Sequence, residues 1–167
     1  MKKLLKVQQF FNKHCYCYMK DIHIHTLGYY VDRTFTHMVK FLNYELGAAG
    51  LNLQHPQFAI LMVVAHNEGI SQALLTEYVG RDKASVSRNV RYLEKEGYIV
   101  RESADGKQKN IILTEKGRKI LPLLHEISQK DTDFTLRGFT ENQKKEVYKI
   151  LEKMYINISC SIENKNQ

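Results

Sequence analysis

Ser71-Gln-Ala-Leu-Leu-Thr-Glu-Tyr-Val-Gly80 runs directly into Arg81-Asp-Lys-Ala-Ser-Val-Ser-Arg-Asn-Val-Arg-Tyr-Leu-Glu-Lys-Glu-Gly-Tyr-Ile99. Ser71 can cap a short helix over Gln72 to Val79, because its hydroxyl can accept from an otherwise unpaired N–H of the first turn. Gly80 stops that helix, Asp82 can cap the next one over Lys83 to Glu96, and Gly97 ends it. Within this second helix Val86, Val90 and Leu93 recur at i, i+4 and i+7 and must face inward. Tyr98-Ile-Val-Arg-Glu102 is then rich in β-formers, Ala104-Asp-Gly-Lys107 reads as a turn, and Asn110-Ile-Ile-Leu113 as a returning strand. Two short helices joined by about three residues and followed by a hairpin predict a winged helix-turn-helix.

Working outward, residues 24–46 carry positions Ile24, Leu27, Val31, Thr34 or Phe35, Met38, Phe41 or Leu42, and Leu46 at helical spacing, ended by Gly47-Ala-Ala-Gly50. Pro56 suits the first turn of a helix reaching Asn67, closed by Gly69. Thr114 can cap a helix from Glu115 to about Lys130, where Pro122 is expected to introduce a kink. Thr140-Glu-Asn-Gln143 is a capping box opening a last helix with Val147, Ile150, Leu151, Met154 and Ile158 along one side. An apolar stripe of this kind must be buried against another element, and pairing of two chains is the simplest burial. The expected architecture is mainly α with a small β-hairpin wing, a winged helix-turn-helix flanked by a helical dimerisation bundle. Its expected divisions are a basic extension over 1–20, a DNA-binding region over 54–113, and a dimerisation region formed by 21–53 and 114–167.

The chain has 167 residues, 43% hydrophobic and 26% charged, which fits an ordered globular protein with room for one core and an appendage. Phe58–Ala65 is its longest strongly apolar run, far short of a membrane span. Gln8, Gln9, Asn12 and Lys13 interrupt what would be the apolar part of a signal peptide, and three cysteines form no disulfide framework, so a cytoplasmic location is expected. The net charge of +7 is uneven: +5 falls in residues 1–20, −3 in 21–80, +3 in 81–109 and +2 in 110–167. Much of the excess therefore lies in the first twenty residues, and an argument for nucleic acid must rest on where the charges stand.

That placement is informative on the second short helix. With Val86, Val90 and Leu93 inward, Lys83, Ser85, Ser87, Arg88 and Arg91 spread over the outer surface. Short hydroxyl side chains allow close approach to base edges, arginines supply planar donors for guanine or phosphate, and a helix N-terminus favours anions. A lone basic helix is more simply a solvated face. Here a preceding short helix, the turn at Gly80 and a hairpin carrying Lys107 and Lys109 favour double-stranded DNA.

These residues resemble the MarR family (multiple antibiotic resistance regulators) over about residues 22–160. The opening of the family's recognition helix looks like Asp82-Lys83-Ala84-Ser85-Val86-Ser87-Arg88, and its end like Leu93-Glu94-Lys95-Glu96-Gly97-Tyr98-Ile99. The signature after the wing resembles Leu113-Thr114-Glu115-Lys116-Gly117. The resemblance implies a homodimeric winged-helix regulator, usually a repressor of a pseudo-palindromic operator, released in many members by an aromatic or lipophilic small molecule. It also places a wing-tip Asp-x-Arg at Asp105-Gly106-Lys107, where lysine keeps the charge but loses the planar fork. Asp105, Lys107 and Lys109 thus join the expected DNA-binding set.

Other groupings have weaker patterns. Tyr30, Met38, Phe58, Met62 and His66 form a candidate effector-binding set between the first two helices, against the alternative that they are core. His14, Cys15, Cys17, His23 and His25 are possible zinc or copper ligands within twelve residues, at a spacing that matches no standard finger. Cys15 and Cys17, with Lys13 and Lys20 nearby, are also candidate redox sensors, so a metal- or redox-responsive regulator on the same fold is the alternative function. Residues 1–20 read as a dimer-stabilising extension rather than a membrane-surface helix, so no membrane partner is expected, or as sequence upstream of a start at Met19. His66-Asn67-Glu68 reads as a helix end before an acid–base pair. No nucleophile elbow, zinc-protease, phosphate-loop or dinucleotide motif is present, so neither enzymatic activity nor a cofactor is expected. A winged helix serving only as a protein-interaction module is the remaining alternative, and it would show aromatic anchors where Arg88 and Arg91 stand.

Overall fold

The computed structural model describes residues 26–103 and 109–163. Its elements are α1 (Leu27–Ala48), α2 (His55–His66), β1 (Ile70–Ser71), α3 (Gln72–Val79), α4 (Lys83–Lys95), β2 (Ile99–Ser103), β3 (Lys109–Leu113), α5 (Glu115–Thr135) and α6 (Glu141–Glu163). The chain divides into two compact units, residues 1–39 and 40–167. The described part of the first unit is the opening of α1, where the Thr26 hydroxyl accepts from Tyr29 N at 3.3 Å as an N-cap and the Tyr29 and Tyr30 rings meet edge to face.

The second unit is built around α2. Pro56 sits in its first turn, and after Gln57 the Phe-Ala-Ile-Leu-Met-Val-Val-Ala run is apolar on every side, the pattern of a helix surrounded by protein. It packs against α3, α4, β3 and α5. Leu46, Leu53, Ile60, Leu61, Val64, Leu75, Val86, Val90, Leu93, Ile111, Leu124 and Ile127 form a single buried cluster. At the far end of α2, the His66 ring donates through Nδ1 to Met62 O at 2.7 Å and Asn67 Nδ2 to Val63 O at 3.0 Å, closing the last carbonyls as a helix end requires.

Helix boundaries on either side of the Gly80 turn follow the expected caps. Ser71 Oγ accepts from Leu74 N at 3.2 Å, Asp82 Oδ1 from Ser85 N at 2.8 Å, and Gly80 adopts φ +62 between the two helices. The hairpin pairs Ile99 with Leu113 through Ser103 with Lys109, antiparallel. A third strand was not anticipated: Ile70 and Ser71 pair with Ile111 and Asn110, giving the order β1-β3-β2. Two residues are too few to show a period of two, so no hydrophobic alternation could have announced β1.

Helix α5 continues through Pro122 to Thr135, five residues beyond the expected end. Leu124 and Ile127 are buried past the proline, and that burial offsets the lost backbone hydrogen bond. The Thr140–Gln143 box forms as read: Gln143 Oε1 accepts from Thr140 N at 2.8 Å and Thr140 Oγ1 from Gln143 N at 3.3 Å. On α6, Ile150, Leu151, Tyr155 and Ile158 are each 49% exposed or more, so these side chains of its stripe are left uncovered by the described residues. No helix among the described residues is long and apolar enough to cross a membrane.

One buried polar atom lacks a partner among the described residues, Asp131 Oδ1 on α5. Burial pushes the Asp131 carboxyl up to about 6. Its neutral form is therefore the better tolerated one. The penalty is absent below the unfolded pKa near 4 and grows as pH rises through 6. Asp131→Asn should raise the thermal midpoint by about 2–4 °C at pH 8, roughly 1 kcal/mol, and leave it unchanged at pH 4. Equal midpoint shifts at both values would show that ionisation is not the cause.

Candidate nucleic-acid interface

Helix α4 presents a divided surface. Val86, Val90 and Leu93 are buried as expected, while Lys83, Ala84, Arg88, Arg91 and Lys95 are exposed. Ser85 and Ser87 are half-buried rather than fully outward. The reason is angular: at 100° per residue they lie roughly 75–85° from the centre of the outer face, on opposite flanks of it. The centre belongs to Ala84, Arg88, Arg91 and Lys95. Ala84 and Lys95 are not among the expected DNA-binding residues: a methyl group carries no hydrogen-bonding signal, and Lys95 lies in the Leu93–Ile99 stretch that marks the helix end.

Charge pairing distinguishes this face from a merely solvated one. Lys119, Lys130 and Lys144 each pair with an acid three or four residues away on their own helix. Lys83, Arg88, Arg91 and Lys95 take part in no ion pair among the described residues. The face is cationic and acid-free, with a small residue at its centre that permits close approach by a polyanion.

Several contacts fix α4 to the hairpin and to the start of α5. Arg101 of β2 donates through Nε to Glu94 Oε1 at 3.1 Å and through Nη2 to the second oxygen, a forked pair joining the wing's root to the helix. Gly97, at φ +74, ends α4 with Tyr98 N donating to Leu93 O at 2.9 Å. Thr114 then closes the corner: its N donates to Tyr98 O at 3.0 Å, its hydroxyl to Gly97 O at 2.6 Å, and the same Oγ1 accepts from Gly117 N at 3.1 Å. Lys116 Nζ reaches Glu96 O at 2.6 Å and lies 4.4 Å from the centre of the Tyr98 ring. The Leu113–Gly117 signature is thus the clamp that holds the wing and α5 on the end of α4.

The turn before α4 carries a further cation. Arg81 Nη2 donates to His55 Nδ1 at 3.4 Å, and burial first, with the Arg81 charge second, pushes the His55 ring below its ordinary range, which keeps it a neutral acceptor.

The remaining expected residues are distributed as follows. Asp105 and Lys107 lie outside the described residues; Lys109 opens β3, and its side chain lies outside them too. His14, Cys15, Cys17, His23 and His25 all lie outside the described residues, as does the 1–20 extension. No group of three or more metal-ligating side chains occurs among the described residues. Cys160 is exposed on α6, about 150° around the helix from the Val147–Ile158 stripe. On α2, Phe58 and Met62 are half-buried against the core and His66 is exposed, its ring edge-on to His125 at 6.1 Å. Tyr30 and Met38 lie on the opening part of α1, exposed and half-buried respectively.

Known proteins share this arrangement. A family model described as MarR family matches residues 49–109, from the end of α1 to the start of β3. The HTH-type transcriptional regulator YybA of Bacillus subtilis strain 168, itself uncharacterized, is 32% identical over 110 residues, covering 65% of this chain and 73% of that protein. Among solved structures, a MarR family transcriptional regulator from Listeria monocytogenes, in complex with 26mer DNA, is 26% identical with a TM-score of 0.75, over 83% of this chain and 92% of that one. A MarR transcriptional regulator from Methanosarcina mazei Go1 is 27% identical with a TM-score of 0.72, over 78% and 88%. The acid-free face of α4, the clamped wing and these relatives converge on one assignment: the chain belongs to the MarR family of winged-helix, DNA-binding transcriptional regulators.

Proposed function

We propose that the protein is a homodimeric repressor of a pseudo-palindromic operator, released by a small aromatic or lipophilic compound. The observation that carries this reading is the cationic face of α4, unpaired by any acid among the described residues. Residues 54–113 read the DNA, and 21–53 with 114–167 join two copies. Arg88 reaches base edges, with Ser85 and Ser87 flanking it. Arg91 and Lys109 bind phosphates, and Lys107, steadied by Asp105, enters or borders the minor groove. The exposed apolar side chains of α6 support dimerisation, since a second copy covers what the described residues leave open. Effector release rests on family membership and on the half-buried Phe58 and Met62 of α2 as its apolar lining, with Tyr30, Met38 and His66 the further candidates.

Selection of bound sequences from random duplexes tests the reading. The expected product contains two inverted half-sites centred about one helical turn, or a multiple of it, apart. Titration of that complex with aromatic carboxylates and lipophilic phenols should then release the DNA. A selected site without inverted symmetry would contradict the dimeric reading, and insensitivity to every such compound would contradict effector release.

A further inference from the structure

The flank of α4 next to its buried row is gripped by the segment that opens α2. Ser85, Asn89 and Tyr92 follow one another at i, i+4 and i+7 along this flank. Asn89 Oδ1 accepts from Gln57 Nε2 at 2.6 Å, and Asn89 Nδ2 donates to Ser85 O at 2.8 Å. Gln57 is committed at its other end, where Oε1 accepts from Gln54 N at 2.8 Å. One turn further along, Tyr92 Oη donates to Asn52 O at 2.5 Å. Leu53, between these anchors, is fully buried. The segment is held from its other side by Asn43 of α1, whose Oδ1 accepts from His55 N at 2.7 Å.

Asparagine is a poor helix former and a costly residue to half-bury. Its place in the middle of α4 therefore needs a physical return, and core stability is not the obvious one, because an aliphatic side chain there would pack against the same surface. What an amide supplies is direction. Val86, Val90 and Leu93 present smooth apolar surfaces that set how deeply α4 is buried but tolerate rotation about its axis. A rotation of about 30° moves a side-chain atom at a radius of 5–6 Å by roughly 3 Å, a whole hydrogen-bond length. Two directional bonds on one flank oppose such a rotation.

We infer that the segment 52–57 sets the rotation of α4 for sequence reading, with Gln57 and Asn89 as positioning residues that act through Arg88 and Ser85. The inference rests on α4 being the helix that reads bases. Neither Gln57 nor Asn89 touches DNA in this account. Their removal lowers discrimination between sequences and spares the phosphate-driven affinity for any duplex.

The test uses the full-length protein and the duplex it selects from random DNA. Affinities for the selected and a scrambled duplex are measured for the wild type, Asn89→Leu, Gln57→Asn and the double variant, alongside thermal midpoints. Gln57→Asn keeps an amide but is one methylene too short to reach Asn89, and it decides the matter if Asn89→Leu fails to fold. A core variant, Ile127→Val, serves as the control for a purely structural loss. Each single change should lower the ratio of selected to scrambled affinity by about tenfold, the scale of one lost base contact, with scrambled-duplex affinity within about twofold. The double variant should be no worse than the poorer single one, because both changes break the same bond. A ratio unchanged in the singles, losses that multiply in the double, or an equal loss in Ile127→Val would overturn the inference. A wild type without sequence preference would overturn the base-reading assignment itself, and with it this role for Gln57 and Asn89.

Discussion

Gly117→Ala should lower the thermal midpoint by about 5–15 °C, corresponding to about 2–4 kcal/mol. A Cβ at position 117 would stand 2.1 Å from Tyr98 O and 3.1 Å from both Tyr98 C and Leu113 Cδ2. The first obstacle is backbone, so no side-chain rotation relieves it. That carbonyl also accepts from Thr114 N at 3.0 Å, while Thr114 holds Gly97 O and caps α5, so moving Tyr98 strains the whole clamp. The methyl group's small gain in helix propensity, about 1 kcal/mol, does not offset this. Because the clamp seats the wing's root on α4, DNA affinity should fall in parallel at temperatures where the variant is still folded. Thermal unfolding followed by circular dichroism measures the first effect. A midpoint within 2 °C of wild type would mean that α5 can shift away from Tyr98 without cost.

A second large effect is expected on α6. Val147, Leu151, Met154 and Ile158 repeat at i, i+4, i+7 and i+11, and Tyr148, Ile150 and Tyr155 widen the stripe. Burying each Leu or Ile is worth about 1.5–3 kcal/mol, and an interface of this kind should exceed about 2,000 Å² in total. Leu151→Asp with Ile158→Asp removes two such contributions and adds two charges to be desolvated, so the dimer dissociation constant should rise at least about a thousandfold. Sedimentation velocity across nanomolar to micromolar concentrations reads this directly. Truncation after Thr140 should give insoluble or unfolded protein. A wild type that remains a folded monomer throughout that range would refute the assignment of α6.

Much of this fold is legible in residue order, for identifiable reasons. Ser71, Asp82, Thr114 and the Thr140–Gln143 box all cap where their hydroxyl or carboxylate chemistry says they should, because capping is decided within four residues. The inward row Val86, Val90 and Leu93 is equally local. What escapes is settled by distant partners. Strand β1 exists only because β3 offers Ile111 and Asn110 to Ile70 and Ser71. The extension of α5 past Pro122 depends on Leu124 and Ile127 reaching the core. The same holds within the interface. Arg88 and Arg91 follow from helical period alone, whereas the half-burial of Ser85 and Ser87, and the Gln57–Asn89 bond across 32 residues, depend on how α2 meets α4. The Arg101–Glu94 fork likewise joins two residues whose charges, read along the chain, look like ordinary surface groups.

In the proposed reading, α4 reads bases with Arg88 and grips the backbone with Arg91. The two are three residues apart, so they diverge by roughly 60° around the helix and cannot serve the same groove direction. The more N-terminal residue of a recognition helix normally goes deeper. The decisive measurement is the affinity of wild type, Arg88→Ala and Arg91→Ala for the selected operator and for scrambled DNA across a range of salt concentrations. Arg88→Ala should weaken operator binding by about ten- to a hundredfold, flatten preference at one base position in each half-site, and leave scrambled DNA nearly unaffected. Arg91→Ala should weaken both duplexes alike and reduce the salt slope by about one unit per subunit. If Arg88→Ala instead weakened operator and scrambled DNA equally, or if neither change altered binding, α4 would not lie in the groove as described.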